Sequence, residues 1–365
     1  MNTRKKFQSY WLLAIFVLTL MACSKNDEPE VDPIVDPVEE PDLDQPLKEK
    51  AGFGIGAAVT TAQLNESDFV STLSENFSQI TGEYEMKMAH IWKSSSSYDW
   101  SKADALVDFA KQHNMKVHGH TLLWYKSFPD WFKAADYDSL TFENKIKEYI
   151  TTTVSRYKDD VASWDVANEI FNDNGTLRID ETIYETFTDP IAFYGRCFQY
   201  ARDADPDALL FYNDYNVVTA NGKRYAIKKM VERFQEEGYP IDGLGEQFHY
   251  SVSTSQSTIK TGLDDLATTG LKIHISELDM KVNVNKSDSY TFSSAEQQKQ
   301  ADAYQSIVES YEALPDDQKF AITTWGVTDK YTWLTDSWHE KEYPLLFDKN
   351  YEKKKAYEGF LLGLK

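Results

Sequence analysis

Short apolar runs alternate with longer amphipathic segments from Ala51 to the end of the chain. The short runs have the length of buried strands, and the longer segments repeat their apolar positions at helical spacing. The predicted strands span residues 52–59, 79–86, 116–124, 161–169, 209–215, 241–250, 271–280 and 320–329. Between the strands, helices are predicted over residues 101–114, 143–157, 190–204, 223–237 and 296–314.

This alternation is typical of an α/β fold. Eight strands with intervening helices over residues 51–365 predict a single (β/α)₈ TIM barrel, with no internal repeat and no second domain. A doubly wound open sheet is the alternative. No glycine-rich phosphate loop follows any of the strands, which disfavours its nucleotide-binding version.

The residues before the barrel have a different composition. A basic stretch at residues 4–6 precedes an apolar run over residues 10–20, which is shorter than the roughly 20 residues of a spanning helix and is typical of an export signal. The following Leu-Met-Ala-Cys, residues 20–23, resembles a bacterial lipobox, in which the signal is cleaved before a cysteine that becomes lipidated. A plain secretory signal is the alternative.

Prolines recur among Asp and Glu residues between Pro29 and Pro46, without an apolar period. This composition predicts an extended, solvated tether. The predicted organisation is therefore a lipoprotein signal peptide (1–22), an acidic Pro-rich linker (23–50) and the barrel (51–365). With Ser24 after the cysteine, we expect an exported protein that is held in the outer membrane by acylated Cys23 and displayed at the cell surface.

Charge and composition narrow the range of partners. A formal net charge of −21 disfavours binding to the negatively charged backbone of a nucleic acid. Aromatic residues make up 14% of the chain, with nine Trp and twenty-two Tyr, which suits stacking on sugar rings as well as core packing. The two cysteines, Cys23 and Cys197, give no disulfide framework, and Cys197 is expected to be a core thiol.

Polar and aromatic side chains collect where the predicted strands end. In a TIM barrel the chemistry lies at the carboxyl ends of the strands, so these side chains predict a lined cleft. They are Glu83, Lys87, His120, Trp124, Asn168, Glu169, Asn213, Asp214, Tyr215, Gln247, His249, Glu277, Asp279 and Trp325.

Two of these strand ends deliver a carboxylic acid, Glu169 on the fourth strand and Glu277 on the seventh. Two carboxyl groups that flank one bond are what glycoside hydrolysis requires; a gap of roughly 5–5.5 Å makes the reaction retaining and a wider gap makes it inverting. Gln247 and His249 alternate onto the same side of their strand, where the imidazole could orient a carboxylate. Asp279 could brace that imidazole from behind.

The histidines admit a competing interpretation as a metal centre. His118 and His120 share one side of their strand, and with His249 and His274 they invite comparison with barrel metallohydrolases. His274 is opposite in parity to Glu277, however, and no closing set of ligands is evident. We therefore expect neither a metal nor another cofactor.

Taken in order, these motifs resemble glycoside hydrolase family 10, the retaining endo-β-1,4-xylanases. The likeness covers nearly all of residues 52–365. It is carried by residues 83–87, 119–124, 164–169, 204–208, 212–216, 245–249, 276–279, 324–330 and 344–348.

The resemblance implies a role for each site residue. Glu169 would be the acid/base and Glu277 the nucleophile, Asn168 would hold the 2-hydroxyl of the sugar being cleaved, and Gln247 and His249 would position Glu277. The remaining sugar contacts would be made on the non-reducing side by Glu83, Lys87, His120, Trp124, Trp325 and Trp333, and on the leaving-group side by Tyr215.

The chain departs from the family pattern at a few positions, which we expect to cluster on the non-reducing side and to alter recognition there. They are Tyr84 for Asn, Met88 for Trp, Ser127 at the end of a Tyr-Lys-Ser stretch that replaces His-x-Gln, and Leu334 for Arg.

The predicted function is hydrolysis of xylan or xylo-oligosaccharides by a monomeric enzyme through double displacement, with a preference for decorated or short xylans. A β-glucanase of a related acid-pair barrel family is one alternative. A surface lipoprotein that binds glycan without cutting it is another.

Overall fold

The computed structural model describes residue 42 and residues 44–178 and 186–365. Within them, eight strands alternate with eight main helices. The strands are β1 (Gly54–Val59), β2 (Gln79–Gly82), β3 (Lys116–Gly119), β4 (Ser163–Asn168), β5 (Leu209–Asp214), β6 (Gly243–Glu246), β7 (Lys272–Lys281) and β8 (Lys319–Thr324). The helices are α1 (Ser67–Asn76), α2 (Ser101–Gln112), α3 (Ser139–Arg156), α4 (Pro190–Ala204), α5 (Asn221–Glu237), α6 (Gln256–Ala267), α7 (Ser294–Glu312) and α8 (Lys355–Gly363).

Each strand pairs in parallel with the next one along the chain. The last strand pairs with the first, with Gly54 opposite Ala321, and this pairing closes the barrel. The predicted (β/α)₈ barrel is therefore confirmed, and each predicted strand overlaps an observed one. The chain leaves the sheet earlier than predicted at β2, β3, β6 and β8, and the short strands Leu123–Trp124 and His249–Ser251 continue the extended pattern after β3 and β6.

The helices begin where local sequence satisfies their free N–H groups. Side-chain oxygens of Asp138, Asp189, Ser255 and Ser293 accept backbone N–H groups in the first turns of α3, α4, α6 and α7. Helix α5 ends at Gly238, whose φ of 79° is the left-handed conformation common at helix ends. Three helices of the structure, α1, α6 and α8, have no counterpart among the five helices whose ranges were predicted.

The barrel interior below the mouth is filled by rings from four strands, β3, β5, β7 and β8. The His118 and His274 rings lie 4.7 Å apart, and Phe211 and Phe320 pack against them. His274 Nε2 is 2.8 Å from the hydroxyl of Thr323. These two histidines therefore belong to the packed core, and within residues 42, 44–178 and 186–365 no three His, Cys, Asp or Glu residues form a metal-binding group.

The amino-terminal boundary of the domain lies earlier than predicted. A short helix, Leu47–Lys50, buries Leu47 completely, and Lys50 Nζ donates to the carbonyl of Leu361 in α8 at 2.9 Å. The end of the predicted linker is therefore part of the domain. The predicted signal peptide, the lipobox and the tether up to residue 41 lie outside the described residues, and none of the described helices is long and apolar enough to span a membrane.

Candidate active site

The carboxyl ends of the strands surround a cleft of about 490 Å³. The side chains predicted for the site that line it are Glu83, Lys87, His120, Trp124, Asn168, Glu169, Tyr215, Gln247, His249, Glu277, Trp325 and Trp333. The cleft is also lined by Tyr84, Tyr125, Lys126, Asn216 and Lys281. Asp279 is fully buried and does not face the cleft.

Glu169 follows a bulge in its strand, and Glu277 lies within one. Strand β4 has one residue more than β5 between Asp165 and Ala167, and β7 has one residue more than β8 between Ile275 and Leu278. A bulge bends its strand and redirects the side chains that follow. The two irregularities therefore set the direction in which the acids leave the sheet.

Asn213, at the end of β5, connects both acidic strands. Its Nδ2 donates to Glu277 Oε1 at 2.8 Å and lies 3.0 Å from Asn168 Oδ1, while its Oδ1 accepts from Ser276 Oγ at 2.7 Å. A Cβ on Gly245 would lie 2.3 Å from Asn213 Oδ1, so only glycine leaves room for this side chain. Asn213 was absent from the predicted roles, although it ends a strand within one of the family-like stretches.

Gln247 contacts the other acid. Its Nε2 donates to Glu169 Oε1 at 2.9 Å and lies 3.4 Å from Asn168 Oδ1. The expectation that Gln247 positions Glu277 is therefore wrong. The family resemblance implied that role, and regular strand alternation would point Gln247 and His249 the same way. Instead Phe248 has a left-handed φ of 63°, which reorients the chain between them.

His249 lies between two carboxylates. Its Nε2 is 3.2 Å from Glu277 Oε2 and its Nδ1 is 3.0 Å from Asp279 Oδ2, so the expected contact with Asp279 is present. Asp279 also accepts from Trp333 Nε1 at 2.7 Å. Burial opposes the charged imidazole, but Asp279 and Glu277 outweigh it and raise the pKa of His249 to about 10. Both ring nitrogens are therefore protonated at neutral pH.

The surroundings of Glu277 favour its ionised form. Burial by itself would raise the pKa of this carboxyl, but the hydrogen bond from His249 acts in the opposite direction. The charges of His120, His249 and Lys87 act in the same sense as the hydrogen bond. Together they hold the pKa of Glu277 below its usual range, as a nucleophile requires.

A third acid lines the cleft at the end of β2. Burial raises the pKa of Glu83 to about 7, against the opposing charge of Lys87. The carboxylates of Glu85 and Glu277 contribute in the same direction as burial. Glu83 can therefore donate as well as accept hydrogen bonds near neutral pH.

Aromatic rings surround the ammonium group of Lys87. Its Nζ lies 4.7 Å from the ring centroid of Trp124, 5.3 Å from that of Tyr84 and 5.8 Å from that of Trp325. The ring of His120 meets Trp325 edge to face at 5.5 Å. One ammonium group set among aromatic faces suits a ligand with hydroxyl groups and apolar ring faces.

Of the four positions at which the chain differs from the family pattern, only one lies at the cleft. Tyr84 lines it with 49% of its surface exposed. Met88, Ser127 and Leu334 are buried and do not line it, so the expectation that all four positions face the sugar sites is wrong for these three.

A (β/α)₈ barrel with two cleft-lining carboxyl groups, each hydrogen-bonded to amide or imidazole donors, is the architecture of a glycoside hydrolase. The family model described as glycosyl hydrolase family 10 matches residues 43–362. The chain belongs to this family.

Relatives and solved structures agree with this assignment. The chain is 33% identical to endo-1,4-beta-xylanase 3 of Hypocrea jecorina over 87% of its own length and 84% of that protein. It is 34% identical to exoglucanase XynX of Acetivibrio thermocellus over 87% of its length, but spans only 29% of that protein. Among solved structures, the chain is similar to a mutant of xylanase 10C from Cellvibrio japonicus in complex with xylopentaose, with a TM-score of 0.82 and 32% sequence identity. The match covers 88% of this chain and 70% of the Cellvibrio chain.

Proposed function

We propose that the protein is an endo-β-1,4-xylanase that hydrolyses internal xylosidic bonds by double displacement with retention of configuration. The observation that carries the proposal is the hydrogen-bonded set in the cleft, in which Gln247 contacts Glu169, Asn213 contacts Glu277, and both amides meet at Asn168. Two acids held by one rigid set of donors are suited to act on the same bond. The family and the xylopentaose complex of the Cellvibrio enzyme support xylan as the substrate.

In the first step Glu277 attacks the anomeric carbon as a carboxylate. The glycosidic C–O bond breaks while protonated Glu169 gives its proton to the departing oxygen, and a glycosyl ester forms on Glu277. His249 and Asn213 hold the attacking carboxylate through one hydrogen bond to each of its oxygens.

In the second step Glu169 acts as a base. It takes a proton from water as the water oxygen attacks the anomeric carbon, and the ester bond breaks to return Glu277 as a carboxylate. The Nε2–H of Gln247 supports Glu169 in its ionised state. Because two donors orient the amide oxygen of Asn168, its nitrogen can serve a sugar hydroxyl.

Product analysis tests this function most simply. The protein from residue 42 onward should release short β-1,4-linked xylo-oligosaccharides from xylan and leave cellulose and mixed-linkage β-glucan largely intact. Faster release from glucans would favour the β-glucanase alternative. Binding of xylan without release of any reducing sugar would favour the glycan-binding alternative.

We propose that Tyr84 makes sugar recognition on the non-reducing side atypical. Its ring lies 5.3 Å from Lys87 Nζ and 5.8 Å from the ring of His90, and half of its surface remains open to a ligand. We expect Tyr84→Asn to raise kcat/KM on linear xylohexaose relative to decorated xylan by about 2- to 10-fold, the range of one aromatic contact. The measurement is the ratio of the two values in each variant.

Tyr225 provides the matched control, because it is 65% exposed on α5 and does not line the cleft. Tyr225→Asn should leave the ratio unchanged. An unchanged ratio in Tyr84→Asn as well, or a wild-type preference for linear substrates, would contradict an atypical site.

The Asp279–His249 pair makes a prediction about pH. In Asp279→Asn, burial would favour neutral His249, and the pKa of Glu277 would rise because it loses a cationic partner. Activity on the acid side is lost as the pH falls through the pKa of the nucleophile. We therefore expect the acid limb of kcat/KM to move to higher pH by about one to two units.

The control is Asp264→Asn, which alters an exposed carboxylate paired with Lys260 on α6. Its pH profile should match that of the wild type. An acid limb that stays in place in Asp279→Asn, or moves to lower pH, would show that the pair does not set the ionisation of the nucleophile.

A further inference from the structure

The backbone of Glu169 is held in an unusual conformation. Its φ is 59°, in the left-handed region that residues other than glycine rarely adopt. Such a conformation persists where surrounding contacts enforce it, and it is frequent at functional sites. The backbone conformation of Glu169 fixes the direction of its side chain. The contacts that enforce this conformation therefore also orient the carboxyl group.

Three hydrogen bonds hold the peptide groups around Glu169. Its N–H donates to the carbonyl of Asn213 at 2.9 Å, and the N–H of Ile170 donates to the hydroxyl of Tyr212 at 3.1 Å. The carbonyl of Glu169 accepts from Nε of Arg178 at 3.0 Å. The first two partners belong to β5, whereas the third comes from the loop that follows Glu169 itself.

A tight hairpin returns Arg178 to this position. Phe171 and Leu177 form an antiparallel bridge, and the N–H of Arg178 donates to the carbonyl of Ile170 at 3.1 Å. The chain reverses at Gly175, whose φ is 84°, and a Cβ there would lie 2.4 Å from the carbonyl oxygen of Gly222. The hairpin is thus seated against the start of α5 and presents the arginine beneath the acid.

The guanidinium group also reaches two walls of the cleft. Its Nη2 donates to the hydroxyl of Tyr215 at 2.9 Å, and its Cζ lies 4.5 Å from the ring centroid of Tyr125. Both tyrosines line the cleft. A planar group with several fixed donors can hold such partners at once, which a single ammonium group cannot.

We propose that Arg178 is a positioning residue for the acid/base. It fixes the left-handed turn at Glu169 and couples it to Tyr125 and Tyr215, so that the carboxyl group faces the oxygen of the bond being cleaved. The inference rests on the proposed function, because it takes Glu169 to be the proton donor.

The test compares two substrates that differ in their need for an acid. Xylohexaose needs its leaving oxygen protonated, whereas the glycosylation step of 2,4-dinitrophenyl β-xylobioside does not. We expect Arg178→Met to lower kcat/KM on xylohexaose by about 10- to 100-fold, the scale of a misplaced catalytic group. The value on the dinitrophenyl substrate should fall by no more than about 3-fold, since the nucleophile is unaffected.

Arg233→Met is the matched control, because Arg233 forms surface ion pairs with Asp189 and Glu237. It should leave both values unchanged. Arg178→Lys, which can still reach the Glu169 carbonyl, is expected to lose less on xylohexaose and serves as the test if the methionine variant does not fold. Equal losses on both substrates, or no loss on xylohexaose, would overturn the role of Arg178. Failure of the wild type to cleave xylohexaose would instead overturn the proposed function.

Discussion

Replacement of Glu277 with Ala is expected to abolish turnover of xylan, with a loss in kcat on the order of 10⁵-fold or more. Among the residues that the structure describes, Glu277 is the carboxylate that contacts both Asn213 and His249, since Asp279 contacts His249 from the far side of the ring and does not line the cleft. The first step then lacks a group to form the glycosyl ester. A loss of 10⁵-fold corresponds to about 7 kcal/mol of transition-state stabilisation.

The variant Glu277→Gln separates chemistry from shape. It keeps the volume of the side chain and should lose activity to a similar extent. Glu75→Ala removes an exposed carboxylate on α1 and should keep the wild-type rate. Measured rates of xylan hydrolysis near the wild-type value in Glu277→Ala would refute the assignment of the nucleophile.

Replacement of Glu169 with Ala is expected to produce a loss that depends on the leaving group. On xylan, kcat/KM should fall by about 10²- to 10⁴-fold, the typical contribution of a general acid. On 2,4-dinitrophenyl β-xylobioside the first step should proceed nearly as in the wild type, because that leaving group departs without a proton. The second step still needs a base, so the glycosyl enzyme should accumulate and a burst should be seen.

Azide provides a direct check on the same variant. It can attack the glycosyl enzyme without a base, so it should restore the steady-state rate of Glu169→Ala and yield a β-glycosyl azide. The wild type should show little response to azide. Equal losses on xylan and on the dinitrophenyl substrate, with no effect of azide, would contradict the acid/base role of Glu169.

The architecture could be predicted because it depends on a repeated pattern. Each buried strand gives a short apolar run, each helix gives a longer amphipathic segment, and eight repeats leave few folds to choose between. The cleft-lining residues followed from the same reasoning, since the chemistry of a barrel lies at its strand ends. This places Glu169 at the end of β4 and Glu277 within the last part of β7, as the structure shows.

The finer connections could not be predicted, because they depend on departures from regular geometry. The left-handed φ of Phe248 sends Gln247 to Glu169 instead of Glu277, and neither strand bulge leaves a clear signal in the sequence. Met88 differs from the family at a position that is buried, which a comparison of motifs cannot reveal. The role of Arg178 has a partial signal in the Asn174-Gly175 pair, which is typical of a tight hairpin. The lipobox at Cys23 stays a prediction, since it precedes the described residues.

In the proposed mechanism Glu277 forms a covalent bond with the sugar, and a fluorinated substrate should trap that intermediate. The protein would be incubated with 2,4-dinitrophenyl 2-deoxy-2-fluoro-β-xylobioside and digested, and its peptides would be analysed by mass spectrometry. We expect one fluoroxylobiosyl group on Glu277 and none in Glu277→Gln. A label on a different residue, or no label under conditions in which the protein hydrolyses the unfluorinated substrate, would show that Glu277 is not the nucleophile.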